Sequence, residues 1–316
     1  MITSNQPVAY VNGAFVPENE ATISIFDRGL RFADTVFDTA RTIAHRPYKF
    51  REHLERLRRS LTYARIDAGL SLDELERITV DVVEHNVRFL EPNDDFWVRQ
   101  YITRGPVKRI GATDHGTPCV IVTTERLPFP AMARGYCRGV PMLVPSVRAL
   151  PVASIDPRMK TASRMTNNLA EQEVAAIDPH ANPLLLDIDG LVSESTGANF
   201  FAVIGGELVT PGDLDVLNGI SRNTVIALAG EQSIPCRMAR MTMFDVQNAD
   251  EAFLTGTSFC MEPVRSVNGA SFPGGTPGAI TRALTKAWAK SIGHDFVEQA
   301  LSHLEPAERA KLAPPA

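Results

Sequence analysis

The chain has 316 residues, of which 44% are hydrophobic and 22% charged, with a formal net charge of −5. That length suggests two domains or one large one, with enough apolar material for a substantial core. The acidic balance, with a pI of about 5.8, argues against a broad nucleic-acid or anionic-membrane surface. No run approaches the ~18 apolar residues of a membrane-spanning helix, and the first residues carry no signal-peptide pattern. The cysteines Cys119, Cys137, Cys236 and Cys260 are sparse and show no CxxC spacing. The expectation is a cytoplasmic protein with reduced thiols, without a disulfide framework or a cysteine metal site.

In chain order, Val8 to Val16 reads as a hairpin around Asn12-Gly13. Thr35 to Ile43 is β-rich, and period-two alternation puts Phe37, Thr39, Arg41 and Ile43 on one face. Helical spacing of Leu54, Leu57, Leu61 and Ala64 predicts a helix over 50–70, and a second over 72–87 capped by Ser71. Residues 95–103 read as a strand with Trp97, Arg99 and Tyr101 on one face, and 119–124 as another strand. Proline-rich 144–157 reads as a connection. Beyond it come a helix over 166–177, a hairpin over 183–194 turning at Asp189-Gly190, and another over 199–210 turning at Gly205-Gly206. Gly219 opens a helix that Ser221 can cap. Residues 251–257 form a buried strand and 280–292 a final helix. The expected division is a small N-terminal α/β domain over 1–145, a linker over 146–156, and a larger C-terminal domain over 157–316.

Lys160 stands out because it is the only lysine between Lys108 and Lys286. A lysine in a loop is ordinarily a solvated charge. Here it precedes Glu194 and two anion-binding features, the Gly219-Ile220-Ser221 helix start and the Thr257-Ser258 hydroxyls after a strand. An imine-forming amine, a carboxylate for a pyridine nitrogen and a phosphate cup together describe a site for a phosphorylated aromatic aldehyde. The seven histidines are scattered without metal-ligand spacing, so no metal is expected.

Four segments occur in the order of one known family: Arg51-Glu-His-Leu-Glu-Arg-Leu57, Ser193 to Phe201, Gly219 to Val225, and Phe253 to Thr257 with Pro263 to Val267. On these the chain resembles the class IV aminotransferases, pyridoxal-phosphate enzymes of fold type IV, from about Ile25 to about Ala289. The resemblance implies a two-domain α/β (α+β) fold whose larger domain has a β-barrel-like core. It implies pyridoxal 5'-phosphate as cofactor and a homodimer with shared active sites. Lys160 would bond the cofactor aldehyde and shuttle the proton. Glu194 would pair with the ring nitrogen. Arg51, Gly219, Ile220, Ser221 and Thr257 would hold the phosphate.

Ping-pong transfer of an amino group from an amino donor to an oxo acid follows from the same resemblance, with a branched-chain amino acid favoured. The substrate face would draw on Phe32, Phe37, Thr39, Arg41, Trp97, Arg99, Arg109 and Ser258. Arg41 and the Trp97-Val-Arg99 element match the branched-chain type. Ser154-Ile-Asp-Pro157 and Leu184 to Gly190 match (R)-selective amine enzymes. Thr103-Arg-Gly105 matches D-amino-acid enzymes, but their Arg-x-His trap reads Arg109-Ile-Gly111 here. A lyase of the aminodeoxychorismate type is a further alternative. The tyrosine that many members place five residues after the lysine is Met165 here.

Overall fold

A computed structural model describes residue 2, residues 4–107 and residues 116–312. The chain divides into two compact units: residues 1–127 with 159–164, and residues 128–158 with 165–316. The first unit therefore ends before the expected boundary at 145. Lys160, expected in the second domain, belongs to the first unit.

In the first unit, strands β1 (Val8–Val11), β2 (Ala14–Pro17), β3 (Thr35–Ile43), β4 (Arg46–Pro47), β5 (Phe96–Thr103) and β6 (Cys119–Arg126) form a six-stranded sheet in the order β2-β1-β6-β5-β3-β4. The β1–β2 turn holds Asn12 at φ 49 and Gly13 at φ 94, the paired left-handed conformation that makes Asn-Gly a hairpin turn. A short helix α1 (Arg28–Phe32) precedes β3. Helices α2 (Phe50–Ala64) and α3 (Leu72–Val87) pack on the sheet. Ser71 caps α3 in a full capping box with Glu74, as its sequence predicts. Helix α2 stops at Ala64, short of the predicted 70, because Arg65 takes the left-handed conformation.

The core of this unit joins Leu54, Leu57 and Leu61 of α2 to Val82 and Val83 of α3 and to Val36, Ala40, Val98 and Ile102 of the sheet. Each fully buried leucine contributes about 2 kcal/mol by removal from water. Register places Phe37 opposite Tyr101, Thr39 opposite Arg99 and Arg41 opposite Trp97. Directly opposed residues share a face. The core residues Val36, Ala40, Val98 and Ile102 alternate with them and occupy the helix-covered face, so the aromatic and arginine row lies on the other.

The second unit is built on β7 (Val140–Leu143), β8 (Asn182–Pro183), β9 (Asn199–Ile204), β10 (Glu207–Thr210), β11 (Cys236–Met238), β12 (Glu251–Gly256), β13 (Cys260–Val267) and β14 (Ala270–Ser271). Their order is β11-β10-β9-β12-β13-β7-β8, with β14 beside β13. Among the described residues no pairing joins β11 to β8. The predicted 183–194 hairpin forms: the Leu186–Val192 bridge is flanked by main-chain bonds from Asp187 N–H to the Leu191 carbonyl at 2.8 Å, from Ser193 N–H to the Leu185 carbonyl at 2.9 Å and from Leu185 N–H to the Glu194 carbonyl at 3.0 Å, with Gly190 at φ 81 in its turn. Helices α4 (Phe129–Arg138), α5 (Met165–Ala175), α6 (Ile220–Glu231), α7 (Met243–Gln247), α8 (Ala279–Ile292), α9 (Phe296–Leu301) and α10 (Pro306–Arg309) complete the unit. One sheet face carries the apolar cluster of Phe200, Ala202, Ala252, Leu254 and Val264. Helices α6 and α8 both pack on β12. No helix among the described residues is long and apolar enough to cross a membrane.

Glu262 on β13 is a buried carboxyl fitted against Gly135 of α4. A Cβ at residue 135 would lie 1.9 Å from Glu262 Oε1. Burial pushes the Glu262 pKa up to about 7. The unfolded chain loses this proton near pH 4.5, whereas the folded chain keeps it to about 7. Stability thus falls as pH rises through that window, by about 3 kcal/mol in total. Glu262→Gln is expected to melt higher than the parent at pH 8 and alike at pH 4.5. Thermal scans at the two pH values check this.

Candidate active site

Residues 159–164 form a strap lying along β3. The Phe37 N–H donates to the Lys160 carbonyl at 3.1 Å and the Ala162 N–H to the Thr35 carbonyl at 3.0 Å. These flank an antiparallel bridge between Val36 and Thr161. The Thr161 hydroxyl donates to the Thr35 carbonyl at 3.1 Å, and Met159 packs against the core. The strap presents the Lys160 Nζ 4.6 Å from the centroid of the Phe37 ring. Phe37 is stacked on Tyr101 at 5.6 Å. An amine over an aromatic face is attracted by the ring quadrupole yet sheltered from water on that side.

Beneath the strap, α2 carries a buried polar stripe of His53, Arg56 and Ser60. These are three and four residues apart, one helical face. Asp38 on β3 is wholly buried and accepts from Arg56 Nε at 2.8 Å and from Arg56 Nη2 at 2.8 Å. Its carboxylate also meets His53 Nδ1 at 2.7 Å. Burial alone would push the Asp38 carboxyl up. The Arg56 charge, with hydrogen bonds from Arg56 and His53, instead holds it well below the usual carboxylate range. Burial pushes His53 down, an effect that outweighs Asp38, and the Arg56 and Lys160 charges act in the same downward direction.

Arg51 is a correction. It stands in the first turn of α2, 47% exposed, with Nη1 bonded to Asp73 at 2.6 Å and to Glu76 at 3.0 Å. Its helical phase takes it off the stripe that meets the strap, and Arg56 occupies the position facing Asp38. Arg56, His53, Ser60 and Asp38 were all missed. The available signal was polar residues at helical spacing among Leu54, Leu57 and Leu61.

Of the substrate-face candidates, Arg41 is buried, donates from Nε to the Thr42 carbonyl at 3.0 Å, and lies 3.9 Å from Asp95. Arg99 is partly exposed, forms an ion pair with Glu125 and sits over the Trp97 ring at 4.7 Å. Thr39 is half-buried. Phe32 is exposed between Arg28 and Arg31, whose guanidinium carbons lie 5.2 and 5.4 Å from its ring. Arg109 lies outside the described residues. Met165, in the place of the family tyrosine, opens α5 and is 70% exposed.

In the second unit, Glu194 Oε2 accepts from Asn199 Nδ2 at 2.8 Å and from the Leu217 N–H at 3.2 Å. Asn199 Nδ2 also donates to the Leu217 carbonyl at 2.9 Å, which ties the carboxylate to the loop entering α6. The N-cap of α6 is Gly219, with no side-chain cap. Ser221 lies within the first turn and does not cap it, contrary to the sequence expectation. A Cβ on Gly219 would come within 2.1 Å of Asn199 Oδ1, so glycine is needed for this close approach. An uncapped helix start leaves N–H groups and the positive dipole end available to an anion. Thr257 and Ser258 are half-buried in the turn from β12 to β13. On β12, Thr255 Oγ1 is buried without a hydrogen-bond partner. Thr255 lies opposite Asn199 in the sheet.

Within the second unit, the held carboxylate suits a protonated pyridine nitrogen, and the uncapped helix start and the orphaned buried hydroxyl suit a phosphate; within the first unit, the sheltered amine suits an aldehyde. Among the described residues no group of three or more His, Cys, Asp or Glu is placed to hold a metal ion.

The family model for class IV amino-transferases matches residues 35–267. The chain is 34% identical over 280 residues to a putative branched-chain-amino-acid aminotransferase of Methanocaldococcus jannaschii, covering 87% of this chain and 93% of that protein. It is 28% identical to a D-alanine aminotransferase of Staphylococcus haemolyticus, covering 90% and 97%. A branched-chain aminotransferase of Thermoproteus uzoniensis, solved with norvaline, superposes with a TM-score of 0.81 at 25% identity, covering 95% and 98%. The Escherichia coli branched-chain enzyme gives 0.80 at 26%, covering 92% and 94%. The fold is that of the fold-type IV branched-chain aminotransferases, and the chain belongs to the class IV aminotransferases.

Proposed function

We propose that this aminotransferase uses pyridoxal 5'-phosphate to move the amino group of a branched-chain amino acid to a 2-oxo acid. The observation that carries the reading is the Lys160 amine, held over Phe37 by a strap pinned to β3. When bound, the cofactor supplies an electron sink for the carbon beside the substrate nitrogen. Lys160 would be the group that bonds the cofactor aldehyde, takes the proton from that carbon and returns it. Glu194, steadied by Asn199 and the Leu217 N–H, would keep the ring nitrogen protonated. The N–H groups at Ile220 and Ser221 and the Thr257 hydroxyl would donate to the phosphate oxygens. Arg56, on the helix face that meets the strap, replaces Arg51 as the arginine for that role.

Arg99 is the carboxylate anchor a substrate can reach, by exchange with Glu125, because Arg41 is buried against Asp95. The Phe37, Tyr101 and Trp97 face suits an aliphatic side chain. Ile23, Ile25, Phe26, Leu30 and Phe32 form an exposed apolar stretch, the kind of surface that a second copy of the chain covers. This supports a homodimer. Free Cys119, Cys137, Cys236 and Cys260 accord with a cytoplasmic setting.

The test is a half-reaction screen. Conversion of the cofactor absorption is followed separately with L-leucine, D-alanine and (R)-1-phenylethylamine. L-leucine is expected to convert it fastest. Conversion by D-alanine or by the amine alone reassigns the donor class, and no conversion by any of the three sinks the reading.

A further inference from the structure

The strap is tied to the sheet by its flanks, and at Lys160 itself it is also tied to a helix. The Lys160 N–H donates to Ser60 Oγ at 3.1 Å. Ser60 is 1% exposed and lies on the buried stripe of α2, a turn beyond Arg56. This hydrogen bond is part-buried, so shielding from water favours keeping an acceptor for the N–H, and the hydroxyl of a residue locked in a mid-helix position is a rigid one. Residue 160 is thus held on two sides, its carbonyl by the Phe37 N–H of β3 and its N–H by α2.

We propose that Ser60 is a positioning residue for Lys160: its hydroxyl fixes the backbone from which the amine is presented over Phe37. This rests on the reading of Lys160 as the reacting amine, although the anchor itself does not. Without the anchor, the side chain swings from a looser base and spends less time in the productive geometry. A misplacement of ~1 Å at a reacting group costs up to ~10²-fold.

Ser60→Ala keeps the helix, since alanine is a better helix former than serine, and removes only the acceptor. Hydrogen exchange at the Lys160 amide is expected to quicken roughly tenfold, the size of one modest hydrogen bond. In the holoenzyme, kcat is expected to fall roughly tenfold with KM nearly unchanged. Unchanged exchange at residue 160 overturns the anchor. Faster exchange with unchanged kcat, even with a lower melting temperature, shows a merely structural contact and overturns the catalytic role. The two readings separate cleanly. A cofactor absorption that survives Lys160→Ala removes the role of the lysine and with it that of Ser60 in turnover. Backbone exchange in Ser60→Ala does not depend on which residue bonds the cofactor.

Discussion

Lys160→Ala is expected to yield a folded protein that lacks the visible absorption of a lysine-bound cofactor and has lost roughly four orders of magnitude of transamination activity. Folding should survive because the strap is held by main-chain bonds to Thr35 and Phe37 and by the Met159 and Thr161 side chains. The lysine side chain contributes a cation–π contact worth about 1 kcal/mol. Activity should not survive, because one amine both bonds the cofactor and carries the proton. Absorption spectra with added pyridoxal phosphate, beside initial rates, measure the two consequences separately. A variant that still binds the cofactor with the parent spectrum and turns over would place the chemistry at another residue.

The second large effect is on stability. Asp38→Asn is expected to destabilise the first unit by about 3–5 kcal/mol, because Arg56 then loses its buried carboxylate partner. Arg56→Met should cost a similar amount by leaving Asp38 charged in the core. The double variant should cost less than the sum of the two, which a denaturant-based double-mutant cycle measures. Additive losses would mean that the pair is not coupled. The pH dependence has a definite sign. Asp38 is held below its unfolded pKa, so its contribution is complete above about pH 4 and is lost as the pH falls further. His53 is also pushed down, so the unfolded chain takes a proton from about pH 6.5 downward that the folded chain resists. Both groups make the parent acid-sensitive. Asp38→Asn should flatten the part below pH ~4.

The elements that local chemistry dictates follow the sequence closely. The Asn12-Gly13 turn, the Ser71–Glu74 capping box and the alternation over 35–43 and 96–103 each depend on neighbours a few residues away. Helix α4 and strand β13 were not anticipated, because the burial of short apolar runs is decided by what packs on them. The site divides along the same line. Lys160, Glu194 and Gly219 were visible as residue types in a telling order. Arg56 was not separable from Arg51, Arg58 and Arg59, since an arginine at the edge of an apolar stripe is buried only if a carboxylate waits for it. That carboxylate is Asp38, on a strand. Ser60 was invisible for the same reason: a helical serine acquires meaning only from the strap docked against it, 100 positions later.

The sequence by itself determined the family, because the segments around Arg51, Glu194, Gly219 and Phe253 occur together in the family's order. Only the tertiary structure decided which arginine faces the strap, which acids hold Arg41 and Arg99, and that Lys160 belongs to the first unit. Those are questions of burial and partnership between residues far apart in the chain. Such pairings carry large desolvation and Coulomb energies but leave no periodic trace in the sequence.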